Sequence, residues 1–209
     1  MLITVFDVET SGLPPRHSNY KRYPDPKTEY NRYDNARMVE LAYVMYVYDE
    51  ITKTKELVRS MSCIVNPNGE FEIQNTQIHG ITHDTASTYG FPVKNILHEF
   101  MDIVVRSDKL VAHNIEFDLN IVLAECYRVG VDPTPMLNVV KRCTMKSAMN
   151  IMGLQRFPKL VNLYNDLFKG VGEMAWNQTH RALDDTNRCA DVYFELHKMQ
   201  QQRTMHVRV

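Results

Sequence analysis

The chain contains little cysteine. Four cysteines occur in 209 residues, Cys63, Cys126, Cys143 and Cys189, and no two of them form a Cys-x-x-Cys pair. Such spacing argues against a disulfide framework and against a cysteine-based zinc site. We therefore expect reduced thiols in an intracellular protein of the cytoplasm or the nucleus.

Long hydrophobic runs and an excess of one charge are missing as well. The longest uncharged apolar run, 41–48, is far too short to span a membrane. The N-terminal run has no basic start and ends at Asp7, which excludes a signal peptide. The formal net charge of −1 argues against a polycationic nucleic-acid wrapper but allows a local basic groove. We expect a soluble protein that does not enter a membrane.

The sequence does have the composition of a globular domain, with 44% hydrophobic and 23% charged residues. Strands first and strand–helix alternation afterwards predict an α/β or α+β fold with one mixed sheet. A single domain, 1–199, is followed by a tail, 200–209, that we expect to be frayed. Apolar runs predict strands at 2–8, 38–48, 58–65, 109–112 and 139–143, and helical periodicity predicts helices from 93, over 115–129, from 158 to 170 and over 182–199.

Three acidic residues stand where predicted strands and helices meet. Asp7 and Glu9 are two apart at a strand end, so their side chains point to the same side. The two like charges repel each other unless a cation neutralises them. Asp118 lies in the first turn of a helix, where the helix dipole favours a carboxylate. Solvated carboxylates or a helix-capping acid would give the same patterns, so none of these residues decides alone.

The segment HRALDD separates two neighbouring aspartates by their helical phase. Asp185 shares an apolar stripe with Ala182 and Cys189, whereas Asp184 shares a charged stripe with Arg188. The pattern predicts that Asp185 is buried and that Asp184 is solvated. A buried carboxylate needs a partner or a metal ion.

Four carboxylates and His180 on three segments suggest a single site. All-oxygen ligand sets suit Mg²⁺ or Mn²⁺ better than zinc. Two such ions roughly 4 Å apart can activate water and stabilise the leaving oxygen in phosphodiester cleavage. A histidine has an unperturbed pKa near neutrality, so His180 is the expected proton acceptor.

FDVETSGL, AHNIEFD and HRALDD, in this order, resemble the three exonuclease motifs of the DEDD superfamily. The histidine five residues before the last acid resembles the DEDDh branch, which includes RNase T-like enzymes and proofreading subunits of bacterial replicative polymerases. VELAYV and QIHGIT extend the resemblance over nearly the whole chain. The resemblance implies an RNase H-like fold, a central mixed five-stranded sheet flanked by helices. It also implies hydrolysis from a 3′ end that releases nucleoside 5′-monophosphates. The motifs do not decide between DNA and RNA, and of the two we expect DNA.

The same resemblance implies a role for each matching residue. Two Mg²⁺ ions, for which Mn²⁺ can substitute, would be held by Asp7, Glu9, Asp118 and Asp185. Asp7 would bridge the ions, and His180 would be the general base. The implied partner is a nucleic acid with a free 3′ end, single-stranded or frayed, and a polymerase or replication partner would fit the family. The implied substrate contacts are Thr10, Gly12, Leu13 as an apolar wedge, His79 and Ile81 at a base pocket, and Asn114 supporting the strand.

Simpler interpretations exist for two of these contacts and for one long segment. Leu13 could be a loop anchor and His79 a turn residue. The insertion 14–35 departs from the compact family pattern and could bind nucleic acid, or be a solvated or partner-binding loop. Its interest lies in interleaved cations and tyrosines, extending to residue 37: Arg16, Lys21, Arg22, Lys27, Arg32 and Arg37 with Tyr20, Tyr23, Tyr30 and Tyr33.

Other functions remain open at this point. An exoribonuclease that trims RNA would use the same residues, and so would a catalytically silent, polymerase-associated nucleic-acid-binding module. All five chemistry-bearing positions are intact, which counts against the silent module. A haloacid-dehalogenase-type phosphatase would need a shorter acid where Glu9 stands. An RNase H-type endonuclease would leave the histidine motif unexplained.

Overall fold

A five-stranded sheet forms the centre of the protein in a computed structural model that describes residues 1–16, 23–169 and 175–206. The first three strands form an antiparallel meander, and the last two run parallel to the first. The predicted mixed five-stranded sheet is therefore confirmed. In the spatial order β3-β2-β1-β4-β5, the strands are β1 (Leu2–Thr10), β2 (Met38–Tyr48), β3 (Lys55–Ile64), β4 (Lys109–Ala112) and β5 (Val140–Cys143).

Helices flank this sheet. The helices that begin at 93, 115, 160 and 182 were predicted from periodicity, whereas the other four are short and were not predicted. Gly170, predicted to end α7, lies outside the described residues. The helices are α1 (Thr76–His79), α2 (His83–Tyr89), α3 (Val93–Arg106), α4 (Ile115–Val129), α5 (Thr134–Asn138), α6 (Thr144–Met152), α7 (Leu160–Phe168) and α8 (Ala182–His206).

The last helix is longer than its predicted bounds, 182–199. Helix α8 continues without a break to His206. One reason is local. The Gln201 side-chain amide and the His197 ring form a hydrogen bond of 3.0 Å. The two residues are four apart, a separation at which side chains on a helix meet. The boundary between domain and tail thus falls inside a helix.

The alternation of β1 decides where its acidic residues point. Phe6 and Val8 belong to the core on one face of the sheet, with residues of α3 and α4. Ile3 and Val5 belong to the core on the other face, with residues of α6, α7 and α8. Successive strand residues point to opposite faces, so the remaining odd-numbered positions, 7 and 9, face the side on which α8 packs.

Two further findings concern the apolar character of the helices and the state of the cysteines. No helix among the described residues has the length and apolar character needed to cross a bilayer. All four cysteines are free, and Cys126, Cys143 and Cys189 are buried. Three of the four thiols thus lie in the core, as predicted, whereas Cys63 is partly exposed.

Candidate active site

The central strand β1 carries two carboxylates near its C-terminal end. Asp7 and Glu9 are partly exposed, and Glu9 lies opposite Glu40 of β2. Loss of hydration, followed by the neighbouring Asp118, Asp185 and Glu9, raises the pKa of Asp7 well above its usual range. Loss of hydration, followed by repulsion from neighbouring carboxylates, raises the pKa of Glu9 to about 8. Both groups are therefore costly to ionise unless a cation is near.

Asp118 joins these acids from the first turn of α4. Its Oδ1 accepts a hydrogen bond from the Val8 amide, 3.2 Å away, between Asp7 and Glu9 in the chain. That amide is available because the pairing of β1 with β4 stops at Val5. Asp118 is 2% exposed, and burial raises its pKa to about 7 although backbone hydrogen bonds oppose the shift.

The start of α8 supplies Asp185 and, just before it, His180. Asp185 is buried on the face predicted from its apolar stripe, and burial raises its pKa to about 6. Its Oδ2 accepts a hydrogen bond from the Gln178 amide. Its Oδ1 is buried and has no hydrogen-bond partner among the described residues. His180 precedes the helix with a left-handed φ of 51°.

Three of these side chains form a cluster with the dimensions of a metal site. Glu9, His180 and Asp185 each present one ligand atom, and the three atoms lie within 4.8 Å of one another. The buried Asp185 Oδ1 without a partner and the raised pKa values of four carboxylates are what a bound cation would relieve. Because carboxylate oxygens predominate, the residues fit a hard divalent ion. The roles predicted for the individual acids and for His180 remain predictions.

Asp184 is not the solvated residue that the charged stripe predicted. Its Oδ2 accepts hydrogen bonds from the Trp176 indole and from the Thr179 hydroxyl, each 2.9 Å long. The side chain of Asp184 is 31% exposed and lies 3.8 Å from Arg188. The helical phase was right, but it could not show that the preceding segment folds back over this face of α8. Asp184 thus holds the segment that carries His180.

Sequence reasoning missed Glu40, which is completely buried beside Glu9. Arg181 binds it through two nitrogens, and the Ser62 hydroxyl and the Ala182 amide donate to it as well. Burial alone would raise the pKa of Glu40, but these hydrogen bonds outweigh it and lower the pKa. A signal existed in the sequence, because Glu40 is the one acid within the apolar strand MVELAYVMYVY.

The turn after β1 has the geometry of an exposed contact surface. The Thr10 hydroxyl donates to the Gly12 carbonyl, 2.7 Å away. A Cβ on Gly12 would overlap the Asn35 carbonyl oxygen, so this close approach requires glycine. Leu13 is 79% exposed, which excludes the simpler interpretation of a loop anchor. Its predicted action as an apolar wedge is compatible with this exposure.

The predicted base pocket at His79 and Ile81 is not formed by these side chains. Both are 1% exposed. The His79 ring accepts from the Ile81 amide at Nδ1 and pairs with the Gln74 carbonyl at Nε2. They therefore organise a turn inside the protein instead of facing a ligand. Asn114, predicted to support the strand, takes a left-handed φ of 61° at the start of α4, a conformation that asparagine tolerates.

The insertion packs on the protein more than its composition suggested. Tyr33 is buried and donates to the Pro24 carbonyl, and Tyr23 contacts the Phe117 ring. Arg37 is buried in an ion pair with Glu125 of α4. Tyr33 and Arg37 are therefore not free to stack on bases or to reach phosphates, whereas Tyr23 is partly exposed. Tyr20, Lys21 and Arg22 lie outside the described residues.

The class of protein follows from this fold and from the acidic cluster: a nucleic-acid hydrolase with an RNase H-like sheet. Residues 4–193 match the family model of the RNase T exonucleases, so the chain belongs to this family of DEDD-superfamily exonucleases. The family uses divalent metals and acts on nucleic acid. The resemblance to the DEDD superfamily inferred from the three motifs is confirmed, and its DEDDh branch remains a prediction.

One curated relative and several solved structures are similar to the chain. A provisionally named bifunctional exonuclease/endonuclease protein of Mycobacterium tuberculosis is 32% identical over 136 residues, which are 64% of this chain and 19% of that protein. The chain thus matches about a fifth of the relative's length. Exonuclease X, solved with 5′-overhanging duplex DNA, has a TM-score of 0.58 at 21% identity, covering 93% of this chain and 90% of that one.

Two further solved structures resemble this chain at 15% identity. E. coli exonuclease I with a dA16 oligonucleotide has a TM-score of 0.68, covering 96% of this chain and 42% of that one. A 3′-exonuclease that recognises the 3′ end of the histone mRNA stem-loop has a TM-score of 0.64, covering 96% and 64%. At these identities the likeness establishes the fold.

Proposed function

We propose that the chain is a DEDDh-type 3′–5′ exonuclease that releases nucleoside 5′-monophosphates from the 3′ end of a single-stranded or frayed nucleic acid, with DNA as the preferred substrate. The observation that carries this proposal is the meeting of His180, Glu9 and Asp185 within 4.8 Å, beside Asp7 and Asp118. Three chain segments with different local structure converge there, which a structural role does not require.

In this proposal Asp7, Glu9, Asp118 and Asp185 hold two Mg²⁺ ions, for which Mn²⁺ can substitute. Bound there, the ions would lower the pKa of a water molecule and stabilise the leaving 3′-oxygen. The carboxylates alone would repel a phosphodiester, so the terminal phosphodiester would lie next to His180 only with the ions bound. The neutral imidazole takes a proton from the attacking water as the new P–O bond forms and the bond to the 3′-oxygen breaks. The exposed Leu13 separates the terminal nucleotide from its neighbour.

A substrate panel tests both the direction and the chemistry. Single-stranded DNA and RNA of one sequence, each labelled at the 5′ end, and a circular DNA are incubated with Mg²⁺, Mn²⁺ or excess chelator. We expect a ladder of shortening labelled products, faster for DNA, and no product with chelator. Immediate release of a labelled mononucleotide would indicate attack from the 5′ end, and cleavage of the circle would indicate an endonuclease.

Two alternatives are decided by the same panel. Faster shortening of RNA would favour the exoribonuclease. Binding without shortening in either metal would favour the silent module that accompanies a polymerase. The His180→Ala variant is the matched control for contaminating nuclease, because we expect it to retain substrate binding while losing about 100-fold or more in turnover.

A further inference from the structure

Glu40 of β2 contacts the segment before α8, which carries the predicted general base His180. Its carboxylate is completely buried near the start of β2, opposite Glu9. Arg181 reaches it with Nη2, 2.8 Å from Oε1, and with Nε, 3.2 Å from Oε2. This two-pronged geometry fixes the direction of the guanidinium as well as its distance. The residue immediately before Arg181 is His180.

A second contact of Glu40 holds the backbone at the same place. The Ala182 amide donates to Oε2 at 3.1 Å. Ala182 is the first residue of α8, and amides in the first turn of a helix have no acceptor within the helix. The carboxylate of Glu40 therefore caps α8 from a neighbouring strand, where its negative charge also suits the positive end of the helix dipole.

His180 needs such support because of its backbone conformation. Its φ of 51° is in the left-handed region, which costs energy for a residue with a Cβ. A conformation of this kind persists only when surrounding contacts hold it. On the C-terminal side of His180 those contacts are the hydrogen bonds of Arg181 and Ala182 to Glu40. On the N-terminal side, Thr179 is bonded to Asp184.

Glu40 is not available as a further metal ligand. Its Oε1 accepts from the Ser62 hydroxyl and Arg181 Nη2, and its Oε2 accepts from Arg181 Nε and the Ala182 amide. A carboxylate offers about four acceptor positions, and these four donors fill them. Its contribution must therefore pass through the residues it binds.

We propose that Glu40 is a positioning residue that fixes His180 over the acidic cluster through Arg181 and the Ala182 amide. The inference rests on the proposed function, in which His180 removes a proton from water. Loss of the Glu40 contacts should leave substrate binding unchanged. The His180 ring should, however, spend less time within reach of the attacking water. The expected loss is therefore in kcat, with little change in KM.

The test is a double-mutant comparison of kcat and KM on 5′-labelled single-stranded DNA with saturating Mg²⁺. The main variant is Arg181→Gln, because the side chain of Arg181 is 48% exposed and glutamine can still donate a hydrogen bond to the buried Glu40 carboxylate; urea unfolding checks that the variant is folded at the assay temperature. We expect kcat to fall by about tenfold or more with KM nearly unchanged. In a His180→Ala background the same change should have almost no further effect, because residues that act as one unit are not additive.

Arg59→Gln is the matched control. Arg59 is 45% exposed and forms an ion pair with Glu99, away from the acidic cluster. It should leave kcat and KM unchanged in either background. Glu40→Gln, which keeps the volume of the side chain, should reproduce the behaviour of Arg181→Gln. If Glu40→Gln does not fold, the result of Arg181→Gln decides.

Three outcomes would overturn the proposal. Arg181→Gln could leave kcat unchanged, or it could lower kcat equally with and without His180, as a general loss of structure would. It could also raise KM alone, which would mean that Arg181 binds a phosphate of the substrate. Failure of the proposed function is seen separately, since His180→Ala would then turn over as fast as the unmodified protein.

Discussion

Carboxylates are buried in two regions of the molecule, and the two regions neutralise them differently. Glu125 of α4 accepts two hydrogen bonds from Arg37 and one from the Met38 amide. At the end of β1, Asp118 and Asp185 are just as buried but have no arginine or lysine in hydrogen-bonding contact among the described residues. Buried charge is costly unless it is paired or bound to a metal. The unpaired region, Asp118 and Asp185 with the neighbouring Asp7 and Glu9, is therefore suited to bind a cation. The paired region, Arg37 and Glu125, stabilises the fold.

Glu40 marks the boundary between these two regions. It lies opposite Glu9 in the sheet register, yet it has an arginine partner and a lowered pKa, whereas Glu9 has a pKa raised to about 8. Position alone does not separate a structural carboxylate from a ligand. The donors around it do.

The largest effect is expected from removing a charge in the unpaired region. Asp7→Asn takes one carboxylate from the predicted two-ion site and should lower turnover by roughly 1,000-fold, since metal ions contribute several kcal/mol to the transition state. The fold should survive, because the substitution relieves repulsion among the neighbouring acids. Steady-state digestion of labelled DNA, together with the circular dichroism spectrum, measures both. Full activity in this variant would contradict the assignment of Asp7.

The second prediction concerns the ion pair between Arg37 and Glu125 in the paired region. Arg37→Ala leaves Glu125, 2% exposed, without its main partner, and should lower the free energy of unfolding by about 3 kcal/mol. Lys146→Ala is the control, because its ion pair with Glu116 is exposed and should contribute less than about 1 kcal/mol. Urea unfolding measures both variants. Equal losses would mean that burial does not distinguish the two pairs.

The unpaired region should also make stability depend on pH. The folded-state pKa values of about 8 for Glu9 and about 7 for Asp118 exceed the unfolded values of about 4. The folded protein then holds more protons than the unfolded chain between these limits, so its stability falls as the pH rises from about 5 to 8. Thermal unfolding in chelator measures this fall. We expect Mg²⁺ and, separately, Glu9→Gln to reduce this fall, and a melting temperature that rises with pH in chelator would contradict it.

The sequence was informative where residue spacing alone decides placement. Periodicity gave the helix at 115–129 with the bounds of α4, and the apolar stripe put Asp185 inside. Alternation placed Asp7 and Glu9 on one side of a strand, and β1 in the structure agrees. These are local consequences of helix and strand geometry.

What the sequence could not give depends on contacts between distant segments. Tyr33 looked like a stacking tyrosine but is buried against Pro24. His79 was a candidate substrate contact until its ring was found paired with backbone groups of its own turn. Glu40 was overlooked because its partner Arg181 is 141 residues away. No periodic pattern records a hydrogen bond across that separation.

The smallest expected effect is that of Asp184→Asn, and its comparison with Asp185→Asn sharpens the same distinction within one helical turn. Asp185→Asn removes a predicted ligand and should abolish metal-dependent activity, whereas Asp184 contacts only protein donors among the described residues. Asp184→Ala leaves the Trp176 indole, in a side chain that is 8% exposed, without its acceptor. We expect a loss of about 1 to 2 kcal/mol in unfolding free energy. Asp184→Asn keeps an acceptor oxygen, so its loss should stay within about 0.5 kcal/mol and its turnover should be nearly normal. Urea unfolding and digestion assays at one Mg²⁺ concentration compare the three variants. If Asp184→Asn were inactive and Asp185→Asn turned over normally, the assignment of these two aspartates would be reversed.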